Sequence, residues 1–548
     1  MPPQPVSAAN RTGARPDRAS SQFHPAVQNR PAGWEGSAEW KRRGAAAWPI
    51  VAMVASLLIL ALLVASLVER PAPRESGQRP VESPLIVYCA ASNRSVFEVV
   101  RKDYEKEYGV PLQVQYGASE SLMASADVSK SGDLYLPADD SFLASARNRN
   151  LIDDELPVAD MRAVVAVRKG NPLGIAKLAD LLRDDVRVAQ GNVESTAIGK
   201  RTHQLLAETN QWEPLKQKTT VFKTTVNEVA NDVKIGAVDA GIVYDAVLHD
   251  YDTLEGIEIP ELAALESRIA VGVLKSCRRP KEALHFARYL SSRDKGQLRY
   301  REYGFRPVDG DLWNETPELV LYAGSMLRPA IEQTIADFEL REGVRVTRVY
   351  NGCGILVAQM KAGQVPDAYF ACDSEFMLQV KDLFPTSEAV SQNELVILVK
   401  KGNPHEIKSL KDLSKPGLRI GIGHEKQCAM GWITQQTFAE SGLQTELMKN
   451  VVVQTPTGDM LVNQMRTDSL DAAVAYLSNA AGSAEFLDAI RIKGIPCSVA
   501  TQPYGVAKVS GNRQLGERLL RAIKAKSSQE KFASEGFRWL EEQQPAHE

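Results

Sequence analysis

The chain repeats itself once along its length. Gly170-Asn171-Pro172 returns as Gly402-Asn403-Pro404, and Gly304-Phe305 as Gly536-Phe537. Asp239-Ala240-Gly241-Ile242-Val243-Tyr244 returns as Asp471-Ala472-Ala473-Val474-Ala475-Tyr476. All of these lie 232 residues apart, whereas upstream the offset is 234: Asp103-Tyr104 pairs with Asp337-Phe338, Tyr116 with Tyr350, Leu122 with Leu356 and Asp133 with Asp367. A constant offset that shifts by two residues is the trace of a duplicated domain with a small loop deletion. Solenoid repeats have periods of roughly 20–50 residues, so this far longer period means two whole globular domains in tandem. Any function must be one that a cell can use in two copies on one chain.

At 548 residues the length allows two large units, each able to build its own core, plus an N-terminal extension. A hydrophobic content of 44% and a charged content of 24% are those of ordinary globular protein. The net charge of −3 carries no domain-scale basic excess, which argues against a nucleic-acid partner.

Residues 1–47 are rich in Pro, Ala, Gly, Ser and Arg without apolar periodicity, and read as a disordered tail. Trp48 to Val68 then runs without a charge, long enough to cross a bilayer as one transmembrane helix. Seven Lys/Arg against three Asp/Glu precede it, including Lys41-Arg42-Arg43. The positive-inside rule therefore keeps the tail cytoplasmic and exports the chain from residue 69 onward, into the periplasm or outside the cell. A cleaved signal peptide ending near Val64-Ala65-Ser66 is the competing reading, but signal cores of about 7–15 residues and short leaders are the rule. Both are longer here, which favours a single-pass anchor. Residues 69–84 read as a linker, with domains over 85–310 and 317–541 after it.

Within one copy, strands alternate with helices. Leu85–Ala90 reads as a buried strand, Val96–Tyr108 as a helix closed by Gly109, and Pro111–Tyr116 as the next strand. A helix starting near Leu122, strands at Leu134–Leu136, 163–167 and 186–189, helices over 196–208 and 226–235, and a strand at 240–243 continue the pattern. The second copy repeats the order from Leu319–Tyr322 onward. This alternation predicts an α/β architecture with mostly parallel sheets.

Small turns, three carrying a hydroxyl and the fourth a thiol, stand between strand ends and helix starts: Ala91-Ser92, Gly117-Ala118-Ser119, Ala323-Gly324-Ser325 and Asn351-Gly352-Cys353-Gly354. The first N–H groups of a helix lack internal partners and carry partial positive charge. Gly, Ala and Ser let a ligand approach them, so such turns can hold a compact oxyanion without Lys or Arg. In open α/β sheets ligands bind outside the C-terminal ends of the strands, where these turns lie. Taken singly, Ser92, Ser119, Ser325 and Thr196 also suit plain helix N-caps.

Val87-Tyr-Cys-Ala-Ala-Ser92, the Tyr116–Leu122 turn, Asp133-Leu-Tyr-Leu-Pro-Ala-Asp139, Gly241–Tyr244 and Tyr303-Gly304-Phe305 together resemble the periplasmic molybdate-binding proteins of ABC transporters. The second copy resembles them through Tyr322–Ser325, Pro366–Phe370, Pro456-Thr-Gly-Asp459 and Asp471–Tyr476. The resemblance implies two tandem type II periplasmic-binding-protein domains, each of two α/β lobes joined by crossing strands with an oxyanion clamped between them. By position it implies Ser92 and Ser119 from the first lobe, and Ala197, Val226 and Tyr244 from the second, as ligand-binding residues. In the second copy it implies Ser325 and Cys353, then Ala429, Gly458 and Tyr476.

Two departures stand out. Cys353 replaces a serine, and a thiol is the weaker donor. Glu120 sits in a turn expected to meet an anion. The six cysteines, Cys89, Cys277, Cys353, Cys372, Cys428 and Cys497, match no zinc or redox spacing and do not recur between copies. If the two turns converge, Cys353 and Cys428 become neighbours, as a disulfide or as free thiols. Fully ionised anions suit a donor-only pocket, which favours molybdate or tungstate over phosphate and leaves sulfate open. Asp459 is the nearest candidate acceptor. No cofactor is implied, and no metal except inside the anion. No nucleophile–base set, phosphate loop or metal cluster points to an enzyme. The expected function is a membrane-anchored binding protein supplying the permease of an ABC uptake transporter, with a tethered oxyanion sensor as the alternative.

Overall fold

The computed structural model describes residues 83–540. The tail 1–47, the apolar run 48–68, most of the linker and residues 541–548 lie outside the described residues. Among the described residues no helix is long and apolar enough to cross a membrane.

The first copy contributes strands β1 (Leu85–Ala90), β2 (Leu112–Gly117), β3 (Leu134–Leu136), β4 (Ile152–Arg168), β5 (Val188–Gly191), β6 (Thr219–Lys223), β7 (Ala240–Tyr244), β8 (Leu254–Ile257), β9 (Glu266–Leu274) and β10 (Arg306–Pro307). They order as β2-β1-β3-β9-β4-β7-β5-β6. The long β4 makes this two lobes. Its first part, Ile152 to Arg162, pairs with β9, and its last part, Ala163 to Val167, pairs with β7. Pro157, which has no N–H to give a ladder, sits where the β4–β9 register shifts, the place a strand interior tolerates it. Strands β1, β3 and β7 are buried on both faces, as their unbroken apolar runs require.

The sheets are mixed, not mostly parallel. β1 pairs in parallel with β2 and β3, and β5 with β6 and β7, but β4 and β9 run antiparallel to every partner. Only 163–167 of β4 carries the plain apolar signal. Its first half, Ile152-Asp-Asp-Glu-Leu-Pro, is polar enough to read as loop, so residue pattern alone stops at 163–167 and the crossing strand is expected only through the resemblance.

The second copy repeats every adjacency: Arg345–Asn351, Glu318–Gly324, Ala368–Phe370, Val499–Val506, Ser387–Lys400, Ala472–Tyr476, Ile420–Gly423 and Val451–Thr455. Each copy has its own apolar core, one running from Leu85 to Phe305 and the other from Leu319 to Phe537. The copies meet through the helices Pro280–Ser291, Arg328–Glu342 and Arg513–Ile523. There the carboxylate of Glu342 lies between two guanidiniums. Arg518 donates to it at 2.7 and 3.1 Å, and Arg288 of the first copy at 3.2 Å. Asp311, between the copies, accepts from the N–H groups of Gln514 and Leu515 at 2.9 and 3.0 Å, capping the last of these helices.

Candidate functional site

In the first copy, strand ends and helix starts from both lobes converge on one cavity. β1 leads into a short 3-10 turn, Ala91–Asn93, and β2 into the helix Ser119–Ser129. From the other lobe come the helices Ala197–Glu208 and Val226–Ile235 and the end of β7. Ser92, Ser119, Ala197, Val226 and Tyr244 all line this cavity, with Ala138, Thr196 and Thr225 beside them. None of its lining residues carries a formal charge. It leaves about 20 Å³ to the centre of a water-sized sphere, enough for a compact group of one or two waters' bulk.

The two serines do not act as helix caps. Ala90 and Ala118 hold the N-cap positions, and neither Ser92 nor Ser119 caps through its side chain. The hydroxyl of Ser92 is buried and has no partner among the described residues. Ser119 Oγ accepts the Ala138 N–H at 3.1 Å, which leaves its own proton free to donate. Thr196 is the cap it resembles in sequence: its hydroxyl accepts the Gly199 N–H at 3.0 Å and donates to the Asn192 carbonyl at 2.7 Å. Thr225 caps the other helix through a capping box with Glu228. The caps satisfy the third N–H of each helix, so the N–H groups of Ala197, Ile198 and Val226 remain without an intrahelical partner at the cavity.

Tyr244 is fully buried, and its hydroxyl meets Ser267 Oγ at 2.8 Å. Burial, reinforced by the charge of Asp139, pushes its pKa above the ordinary phenol value, so it stays a protonated donor. Glu120 does not line the cavity; it is partly exposed and paired with Arg149 at 3.1 Å. The carboxylate expected to repel an anion is thus turned away from it.

Four of the second copy's residues stand at the equivalent element ends, whereas Ser325 aligns with Ala91, one residue before the position of Ser92, which Met326 takes. Ser325 opens a 3-10 turn, Cys353, Ala429 and Gly458 are each the first residue of a helix, and Tyr476 ends its strand. Here the lobes touch. The Gly354 N–H donates across the cleft to the Gln427 carbonyl at 3.1 Å. A Cβ on Gly352 would stand 2.4 Å from the carbonyls of Gln427 and Pro456, so glycine is required for this approach. The Tyr476 hydroxyl is buried without a partner among the described residues. By strand register Ala500 stands where the first copy has Ser267, which removes that partner.

Three cysteines enter this second site: Cys353, Cys372 and Cys428 stand where the first copy has Ser119, Ala138 and Thr196. The Cys372 N–H donates to Cys353 Sγ at 3.1 Å, repeating the Ala138–Ser119 bond with sulfur in place of oxygen. All six cysteines are free, and among the described residues no cluster of three or more metal-ligating side chains could hold a metal ion. Burial raises the pKa of Cys428 to about 12. Cys372 is absent from the sequence-based set. The offset of 234, which aligns Asp139 with Asp373 and so Ala138 with Cys372, is the signal that marks it.

A two-lobed α/β unit with an uncharged cleft between its lobes suits the binding of a small solute. A profile of the bacterial extracellular solute-binding proteins matches residues 85–306 and again 319–538. The chain belongs to that family, in two tandem copies. It is 26% identical over 225 residues to a Haemophilus influenzae protein named only as a candidate binding protein, covering 41% of this chain and 91% of that one. It is 26% identical over 243 residues to the molybdate-binding protein ModA of Mycobacterium bovis, covering 43% and 91%. Among solved structures it is similar to the Azotobacter vinelandii periplasmic molybdate-binding protein, with 16% identity, a TM-score of 0.36, and 40% and 98% of the two chains covered.

Proposed function

We propose that the chain is a membrane-anchored, extracytoplasmic receptor in which each copy clamps a tetrahedral oxyanion, molybdate or tungstate before sulfate, for an ABC uptake transporter. The observation that carries this reading is the buried, unpartnered Ser92 hydroxyl in an uncharged cavity faced by helix N-termini. An unpaired buried hydroxyl costs roughly 1–3 kcal/mol, and an anion supplies the missing acceptor. The cavity's donors suit an anion that brings no proton of its own. Relatives named as molybdate-binding support the choice of anion.

Calorimetry of the chain with molybdate, tungstate, sulfate and phosphate tests it. Molybdate or tungstate should bind tightest, with up to two sites, and no binding of any of the four at millimolar concentration would overturn the reading. Anchoring rests on the charge-free run Trp48–Val68 and its basic flank. Protease added to cells with a permeabilised outer boundary should digest the binding domains and spare residues 1–47. A mature N-terminus found near Leu67 would show a cleaved leader instead.

A further inference from the structure

The thiols at Cys353 and Cys372 are not an isolated exchange of one residue type for another. In the first copy the corresponding place holds Ala90, Ser119 and Ala138; in the second it holds Gly324, Cys353 and Cys372. The methyl lost at residue 324 makes room for the sulfur gained at 372. A Cβ restored on Gly324 would stand 2.0 Å from Cys372 Sγ and 3.2 Å from Cys353 Sγ. Both sulfurs therefore crowd the same side of one glycine, and Cys353 Sγ already accepts the Cys372 backbone N–H at 3.1 Å. A sulfur bonded to its neighbour's own backbone N–H, with the neighbour's sulfur on the same side of Gly324, gives the adjacency that a disulfide needs. Cys428, the partner suggested by the turns alone, stands across the cleft on the other lobe.

We propose that Cys353 and Cys372 form a dithiol–disulfide pair in the second copy's cleft, oxidised by a small-molecule disulfide when the lobes part, giving redox control to that copy alone. The step balances by thiol–disulfide exchange. One Cys353 thiolate attacks a sulfur of the oxidant R–S–S–R and expels one thiolate; Cys372 then attacks the Cys353 sulfur and expels the second. The two cysteine protons end on the two R–SH released, and the oxidant takes up the electron pair. Cys353 is the fitting first attacker. Burial pushes its pKa up, but the neighbouring Cys372 and Tyr369 side chains and the Cys372 N–H outweigh this and hold it below the ordinary thiol value, while Cys372 lies well above. Pairing removes the S–H donor that stands in for the Ser119 hydroxyl. The first copy keeps its serine.

Pairing does not depend on which solute the cleft holds, so its test is separate from that of the receptor reading. The full chain in detergent is incubated with oxidised glutathione, denatured, alkylated, digested and mapped by mass spectrometry. The expected product is a cross-linked peptide pair joining Cys353 to Cys372, lighter by two hydrogens and separated by reductant. Cys372→Ala, which copies the first site's own alanine, should abolish it. A Cys353–Cys428 bond would overturn the proposal. So would full alkylation of Cys353 and Cys372, or glutathione left on either, once the half-buried Cys497 has reacted.

Discussion

Ser92 has a buried hydroxyl with no partner among the described residues, in a cavity whose lining carries no formal charge. Removing a donor to a desolvated anion costs about 1.5–3 kcal/mol, or roughly 10–150-fold in affinity. Ser92→Ala should therefore weaken the first site by that factor and leave the second unchanged, and Ser325→Ala should do the reverse. Titration of each variant with molybdate resolves the two, and equal effects of one variant on both sites would contradict separate pockets. Gly324 gives a second test at this scale. Gly324→Ala drives a methyl into the Cys372 sulfur, an overpacking that costs about 1–3 kcal/mol. Adding Cys372→Ala rebuilds the first copy's pair of alanines and should recover most of the loss. Denaturant unfolding of the single and double variants measures both steps.

The helix Pro280–Ser291 carries His285 against Tyr104, Tyr108 and Trp313, the last in the segment between the copies, and Tyr289 against the same Trp313. The Tyr104 hydroxyl lies 2.8 Å from His285 Nδ1. Burial, then the charges of Arg288 and Lys281, lower the pKa of His285 from 6.5 to about 4. Its folded pKa is below its unfolded one, so the unfolded chain binds more protons in between. The stabilisation is complete above about pH 6.5 and is lost as pH falls toward about 4. Solvent contact at the ring trims this to on the order of 1–2 kcal/mol. Unfolding measured across that window should show the slope, and His285→Phe should flatten it; an unchanged slope would locate the titration elsewhere. The elements themselves were largely legible in the sequence, because the residues that recur are those that shape turns and strand ends. Asn171 and Asn403 both bracket a turn by bonding the N–H and carbonyl four residues on. Asp133 and Asp367 both accept a strand N–H at 2.8 Å. Site chemistry diverges instead: Ser119 becomes Cys353, Ala138 becomes Cys372, Thr196 becomes Cys428. The repeat therefore exposes the fold and hides the second site, and the polar half of β4 gives no period to read.

Two cores share one chain, and what binds them is the buried triad of Glu342, Arg518 and Arg288, each less than a tenth exposed. Burial alone would push the Glu342 carboxyl up, but the two guanidiniums outweigh it and hold it below the usual carboxylate range. Ionised, it joins a helix of the second copy to a helix of the first, and Arg341 with Asp154 adds a link at 3.1 Å beside it. Asp309 and Asp311 tie the intervening segment to the start of the helix Arg513–Ile523. Held this way, the two copies share a common frame rather than hanging as beads on a string. Breaking a buried ion pair by removing one partner costs about 3–5 kcal/mol, because the remaining charge is left without compensation. Glu342→Gln leaves two buried guanidiniums facing a neutral amide, so it should lower the stability of the joined chain by that amount. The Arg518 bond lies within the second copy, but the Arg288 bond crosses between copies, so the loss should fall partly on their docking. Calorimetric unfolding should then show the two copies melting apart in Glu342→Gln where the parent melts them together. A variant that loses less than about 1 kcal/mol and keeps the parent's unfolding profile would mean that the apolar contacts of the three helices, not the triad, hold the copies to one another.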